Sequence, residues 1–113
     1  MLEKISHVVL LKDFYGPLLT PKQQNVLSLH YENDLSLSEI ADNMQTSRQA
    51  VYDLAKRAES LLEEYEHKLG LVEKFQRTRY RLKDLALLLE SAELDKNQHS
   101  KALAIIDELS GLL

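Results

Sequence analysis

The stretch Leu35–Arg57, LSLSEIADNMQTSRQAVYDLAKR, decides the fold. It reads as two short amphipathic helices joined by a tight turn. Ser36 is placed to cap the first helix, and Glu39 three residues on completes a capping box. Ile40, Ala41 and Met44 then share one face. Gln45 to Ser47 form the turn, and Thr46 or Ser47 caps the second helix, with Gln49 three residues after Thr46. Val51, Leu54, Ala55 and Ala58 recur at i, i+3, i+4 and i+7, which gives that helix a buried stripe. A small residue at Ala41 lets two crossing helices approach closely, and Val51 follows ten residues later. This is the pattern of a helix-turn-helix spanning residues 35–57. Many such motifs carry Gly where this chain has Gln45, so Gln45 is expected in a backbone conformation unfavourable for a side chain.

Outward from the motif, helical signals continue in both directions. Upstream, Leu2, Ile5, Val8, Val9, Leu11 and Phe14 give an apolar helix that ends at Gly16-Pro17. Thr20 caps the next helix, with Pro21 at its first position and Gln23 closing a capping box. Val26, Leu27, His30 and Tyr31 supply its inward face. Downstream, Val51, Leu54, Ala58, Leu61, Leu62, Tyr65 and Leu69 stay in phase as far as Gly70, so the recognition helix runs for about 23 residues. Groove reading needs less than half of that length, and its second half must pack on something else. A further helix begins near Leu71 and includes Phe75, Leu82, Leu85, Ala86 and Leu89. A last one starts near Asn97 and holds Ala102, Leu103, Ile105, Ile106, Leu109 and Leu112. The expected architecture is all-α: a helix-turn-helix domain over 1–70, then a C-terminal helical extension over 71–113 that packs on the long helix.

Composition bounds the function. The 113-residue chain has no Cys, which excludes a disulfide framework and a thiolate metal site. Three Gly and two Pro leave few turns, in keeping with a nearly all-helical protein. No apolar run approaches a membrane span and the N-terminus lacks a signal-peptide pattern, so a cytoplasmic protein without membrane insertion is expected. His7, His30, His67 and His99 fall on four different elements with no His-x3-His pair, and no metal or other cofactor is expected. Glu63, Glu64 and Glu66 stand on a helix surface without a nucleophile or a Gly-rich loop, which leaves an enzyme reading unsupported.

Net charge is −4, so for nucleic-acid binding the distribution matters more than the sum. The motif Leu35–Arg57 is neutral: Arg48, Lys56 and Arg57 balance Glu39, Asp42 and Asp53. Residues 58–72 carry −3, whereas residues 73–84 carry +3 through Lys74, Arg77, Arg79, Arg81 and Lys83. If the motif reads DNA, the face opposite its buried stripe must do so. Ser47 and the helix N-terminus suit a phosphate, Arg48 and Gln49 suit guanine and adenine edges, and Tyr52 and Lys56 project alongside. The competing reading is a solvated polar face. The basic block, QRTRYRLK at its centre, suits RNA through Arg on phosphates and Tyr80 on an unpaired base. Alternatively it pairs with Glu59, Glu63, Glu64 and Glu66 within the molecule. The apolar runs Leu85–Leu89 and Ala102–Ile106 each cover more than one helix face. They either close the core over the long helix or pair two copies as a homodimer.

The segments LTPKQQ, LSLSEIA, SRQAVYD and KRAE…L…YE…LGL carry a family resemblance. At the level of fold, Leu19–Leu71 looks like the DNA-binding region four of bacterial sigma factors. More closely, the chain resembles the YlxM family of small bacterial proteins over most of its length. That resemblance implies a helix-turn-helix regulatory protein acting as an accessory of the signal recognition particle pathway. DNA is then the expected partner, or else the particle's RNA or one of its proteins.

Overall fold

A computed structural model of the chain describes residues 2–113, with side chains from Glu3 onward. Leu2, counted above in the first apolar face, has its side chain outside that range. Among the described residues there are six α-helices and no strand: α1 Leu2–Tyr15, α2 Pro21–Leu27, α3 Leu37–Met44, α4 Arg48–Leu69, α5 Leu71–Ser91 and α6 Lys96–Gly111. The chain divides into two compact units, Met1–Val72 and Glu73–Leu113.

Local side-chain chemistry sets the helix starts. Thr20 accepts the backbone N–H of Gln23, while the Gln23 side chain accepts that of Thr20. Ser36 and Glu39 exchange the same pair of bonds at the head of α3. At the head of α4 it is Ser47 that caps, accepting the Ala50 N–H at 3.0 Å. Each cap satisfies amides that the first helical turn cannot bond internally. Gly70 ends α4 in the left-handed region, φ 62°, where a side chain would be strained. Gln45 is left-handed as well, φ 54° and ψ 48°, as expected of a turn position that favours Gly. Between α2 and α3 the chain departs from the simple reading. After Leu27 the helix widens by one residue per turn over Ser28–Glu32, with Asn33 N–H reaching back to the Ser28 carbonyl, and Asp34 then turns at φ 58°.

In the N-terminal unit α1, α2 and α3 all pack on α4. Val26, Leu27, Ile40, Val51, Ala58 and Leu62 have no exposed surface. Each fully buried large aliphatic side chain among them contributes roughly 1.5–3 kcal/mol relative to exposure. Ala41 and Ala55 are buried too, small residues where α3 meets α4. Leu69, expected to continue the stripe, is 55% exposed because it sits in the last turn of α4, where the apolar face has run past its partners.

A polar latch closes this unit. Tyr15, 1% exposed, donates to the Glu66 carboxylate at 2.6 Å and accepts the Leu71 N–H at 3.1 Å. The same Glu66 oxygen accepts the Val72 N–H at 3.0 Å. Two first-turn amides of α5 are thereby satisfied by a side chain from α1 and one from α4. Burial, and then the hydrogen bond to Glu66, push the Tyr15 hydroxyl above its usual pKa. Tyr31 is raised by the same two causes, with Glu59 as its partner.

The C-terminal unit is built differently. Of its side chains only Ile106 is buried. Phe75, Leu82, Ala86 and Leu89 are half-buried along one face of α5, whereas Leu85, Leu87 and Leu88 are exposed. Ile105 and Leu109 form an exposed stripe on α6 at i and i+4, and Leu112, just past its end, is exposed as well.

Candidate nucleic-acid interface

The buried stripe of α4 fixes what its other side presents. Val51, Ala55, Ala58 and Leu62 face the core, so Arg48, Tyr52 and Lys56, at i, i+4 and i+8, line up on the solvent side with Gln49 beside them. All of them are exposed, together with Ser47. The Lys56 ammonium sits 5.8 Å from the centre of the Tyr52 ring, a cation–π contact that holds the two as one cluster. Gln49 donates from Nε2 to the Asp53 carboxylate at 3.0 Å. That bond orients the amide, and it also places a negative charge beside the groups that would meet a base edge.

The head of the helix has the features that suit an anion. With Ser47 engaged on Ala50, the amides at the very start of α4 remain directed outward along the axis, at the positive end of the helix dipole. This face can therefore offer a phosphate the backbone amides, a base edge Arg48 or Gln49, and the flanking backbone Lys56. Ser47 acts here through its place at the helix head, since its hydroxyl oxygen is already bonded as a cap.

Helical geometry divides the second basic patch. Lys74, Arg77 and Arg81 fall on one side of α5 at i, i+3 and i+7, and Arg79 and Lys83 fall on the other at i, i+4. The Arg79 guanidinium lies 5.6 Å from the Phe75 ring and Arg81 pairs with Asp84 at 3.2 Å. Tyr80, 69% exposed, stands between the two sides. A run that is continuous in sequence is thus two separate strips on the helix.

Three of the acidic residues of α4 set against that patch in the sequence reading, Glu59, Glu63 and Glu66, have partners within their own unit. Glu59 bonds the Tyr31 hydroxyl and lies 3.9 Å from the Lys4 ammonium. Glu63 meets His7 at 2.7 Å, and Glu66 belongs to the Tyr15 latch. None of these partnerships is visible in local spacing, because each joins residues far apart in the chain. Glu59, Glu63 and Glu64 also line an open groove of about 510 Å³ between α1 and α4, floored by Val8, Leu11 and Leu62.

Comparison with known proteins agrees with the motif. Residues 2–106 match the family described as "UPF0122: Putative helix-turn-helix protein, YlxM / p13 like". A UPF0122 protein of Geobacillus kaustophilus is 54% identical over 87 residues, covering 74% of this chain and 79% of the relative. One from Bacillus mycoides is 46% identical over 109 residues, 96% of this chain and 99% of the relative. Another, from an Exiguobacterium species, is 52% identical over 89 residues. With the helix-turn-helix laid out on α3 and α4 and a match of this extent, the chain belongs to the UPF0122 family of YlxM/p13-like helix-turn-helix proteins.

Proposed function

We propose that this protein is a non-enzymatic, cytoplasmic regulator that binds duplex DNA through the first three turns of α4. The observation that carries the reading is the exposed face Ser47, Arg48, Gln49, Tyr52 and Lys56 on a helix whose opposite face is locked into the core. A recognition helix needs that combination of a fixed back and a free, capped N-terminal front. By resemblance the setting is the signal recognition particle pathway, with the sigma-region-four-like unit as the reading head and the strips of α5 as a second contact for DNA or for the particle's RNA. In a homodimer two such heads would address two half-sites. Among the described residues no helix is long and apolar enough to cross a membrane.

A second reading is favoured by the open groove beside α4, where Glu59, Glu63 and Glu64 stand with Lys4, Lys56, His7 and His67. In it the helix-turn-helix is scaffold, and the acidic surface docks a basic protein of the targeting machinery. Fluorescence anisotropy with random duplex DNA and with signal recognition particle RNA, titrated over a range of salt, separates the two. DNA binding predicts a linear fall of log K with log salt, its slope counting the neutralised phosphates. Arg48→Glu should then abolish DNA binding while leaving the thermal midpoint unchanged. No binding at low salt would sink the first reading.

A further inference from the structure

Gln49 and Asp53 stand one turn apart on α4, on the side away from Val51, Ala58 and Leu62. Both are exposed, and Gln49 donates from Nε2 to Asp53 Oδ1 at 3.0 Å. A glutamine amide by itself is ambivalent. Half a rotation exchanges its acceptor oxygen for its donor nitrogen, so one orientation suits the amine of adenine and the other the carbonyl of guanine. A carboxylate neighbour removes that freedom, because it accepts hydrogen bonds and cannot donate them. With Asp53 one turn along, the nitrogen of Gln49 is the end that must face it. One amide hydrogen is engaged there, which leaves the second hydrogen and Oε1 for a base edge.

We propose that Asp53 is a specificity-determining residue: it fixes the Gln49 amide so that α4 accepts adenine and rejects guanine at the base pair Gln49 meets. The proposal rests on the α4 reading above and deepens it by naming the base edge. Before adenine, Gln49 Oε1 accepts from the N6 amine and the second Nε2 hydrogen donates to N7, while Asp53 holds the first. Before guanine, Oε1 would face the O6 carbonyl, acceptor against acceptor. The rotation that would relieve this clash takes Nε2 away from Asp53 and sets Oε1 against the carboxylate. Guanine itself presents only acceptors on its major-groove edge, and the Asp53 charge repels them as well. That charge has a second consequence. It lies beside Lys56 and Arg57 on the exposed side of α4, and so weakens the hold on every phosphate alike, whatever the sequence. Asp53 therefore lowers affinity in general and raises discrimination at one position.

The test is selection of duplexes from a randomised pool by the full chain, followed by anisotropy titration of the selected duplex and its single-base variants. Gln49→Ala identifies the position, as the one whose preference it erases. There the wild-type chain should bind adenine over guanine by about tenfold. Asp53→Asn, whose amide can donate as well as accept, should bring that ratio to about two or below and tighten binding of random duplex. Asp53→Glu keeps an acceptor-only group within one turn and should keep the ratio. In a Gln49→Ala background, Asp53→Asn should leave base preference unaltered. Both side chains are exposed, so the thermal midpoint should move little in every variant. A pair that merely supports the helix would leave the ratio intact in Asp53→Asn. That result, or loss of the ratio in Asp53→Glu, overturns the proposal. A wild-type chain that binds duplex without preferring adenine at any position dependent on Gln49 overturns it too, and leaves the α4 reading standing. Failure to bind any duplex at low salt overturns both.

Discussion

The two units of this protein solve the problem of helical stability in opposite ways. In Met1–Val72 thirteen hydrophobic side chains are buried, gathered around α4, and long-range hydrogen bonds tie the ends together. In Glu73–Leu113 the remainder of α5 and the 16-residue α6 bury one. The first unit holds its shape by packing and presents a polar face, while the second keeps its apolar surface on view. The proposed use of α4 as a recognition helix fits that division, because a recognition helix must not shift.

The strongest way to break this comparison is to remove equivalent volume from each side. Leu62→Ala should cost about 2–5 kcal/mol in urea unfolding, through lost burial plus a cavity, while Leu87→Ala in dilute protein should cost less than about 0.5 kcal/mol. Equal losses would mean that the C-terminal unit has an interior of its own. Next in size is the latch. Tyr15→Phe deprives Glu66 of a donor and Leu71 of an acceptor, and should cost about 1–3 kcal/mol. Its pH signature has a definite sign. The folded-state pKa of Tyr15 is raised, so its contribution is complete below the ordinary value of 10.0 and lost as pH rises beyond it. Tyr15→Phe should shrink the alkaline limb of stability without removing it, because Tyr31 is raised too.

Caps give a smaller and sharper contrast. Ser47→Ala should lower the unfolding midpoint of the whole N-terminal unit by about 1 kcal/mol, whereas Asp95→Ala, which removes the cap of α6, should reduce helicity and leave that midpoint in place. Gln45→Gly should stabilise by about 1 kcal/mol, by relieving a left-handed side chain. The smallest effect lies at Glu39, whose carboxylate is held below its ordinary pKa by the Ser36 backbone N–H and hydroxyl. A lowered pKa gives stability that is present above the ordinary 4.5 and fades as pH falls, so Glu39→Gln should flatten the acid limb of an unfolding curve.

What the sequence revealed follows the range of the interactions. Both capping boxes, Thr20 with Gln23 and Ser36 with Glu39, join residues three apart and were legible as spacing. The buried stripe of α4 and the strain at Gln45 were legible for the same reason. The widened turn at Ser28–Glu32 was not, because one added residue per turn leaves no periodic mark. Nor was the partnership of Glu59 with Tyr31, or of Glu66 with Tyr15, since those pairs meet only after α1, α2 and α4 have packed. The candidate interface was readable as a list of exposed positions on α4. Its internal contacts, Gln49 on Asp53 and Lys56 on Tyr52, needed the helix in three dimensions. The basic run Lys74–Lys83 is contiguous in sequence, and only the helix shows that its charges form two strips, since consecutive residues are distributed around the axis.

The latch also bears on the order in which the molecule forms. Tyr15 and Glu66 are separated by 51 positions, so their bond closes a long loop whose entropy must be overcome before any reward is gained. Helices α2 to α4 can associate through neighbours in the chain, but Tyr15 of α1 cannot bond Glu66 until the far end of α4 is available. On a growing polypeptide α2, α3 and the start of α4 would therefore emerge before the latch can close. Loss of a contact that is absent from the folding transition state speeds unfolding more than it slows folding, and the two rates of Tyr15→Phe test whether the latch is such a contact. The expected outcome for Tyr15→Phe is faster unfolding with a nearly unchanged refolding rate.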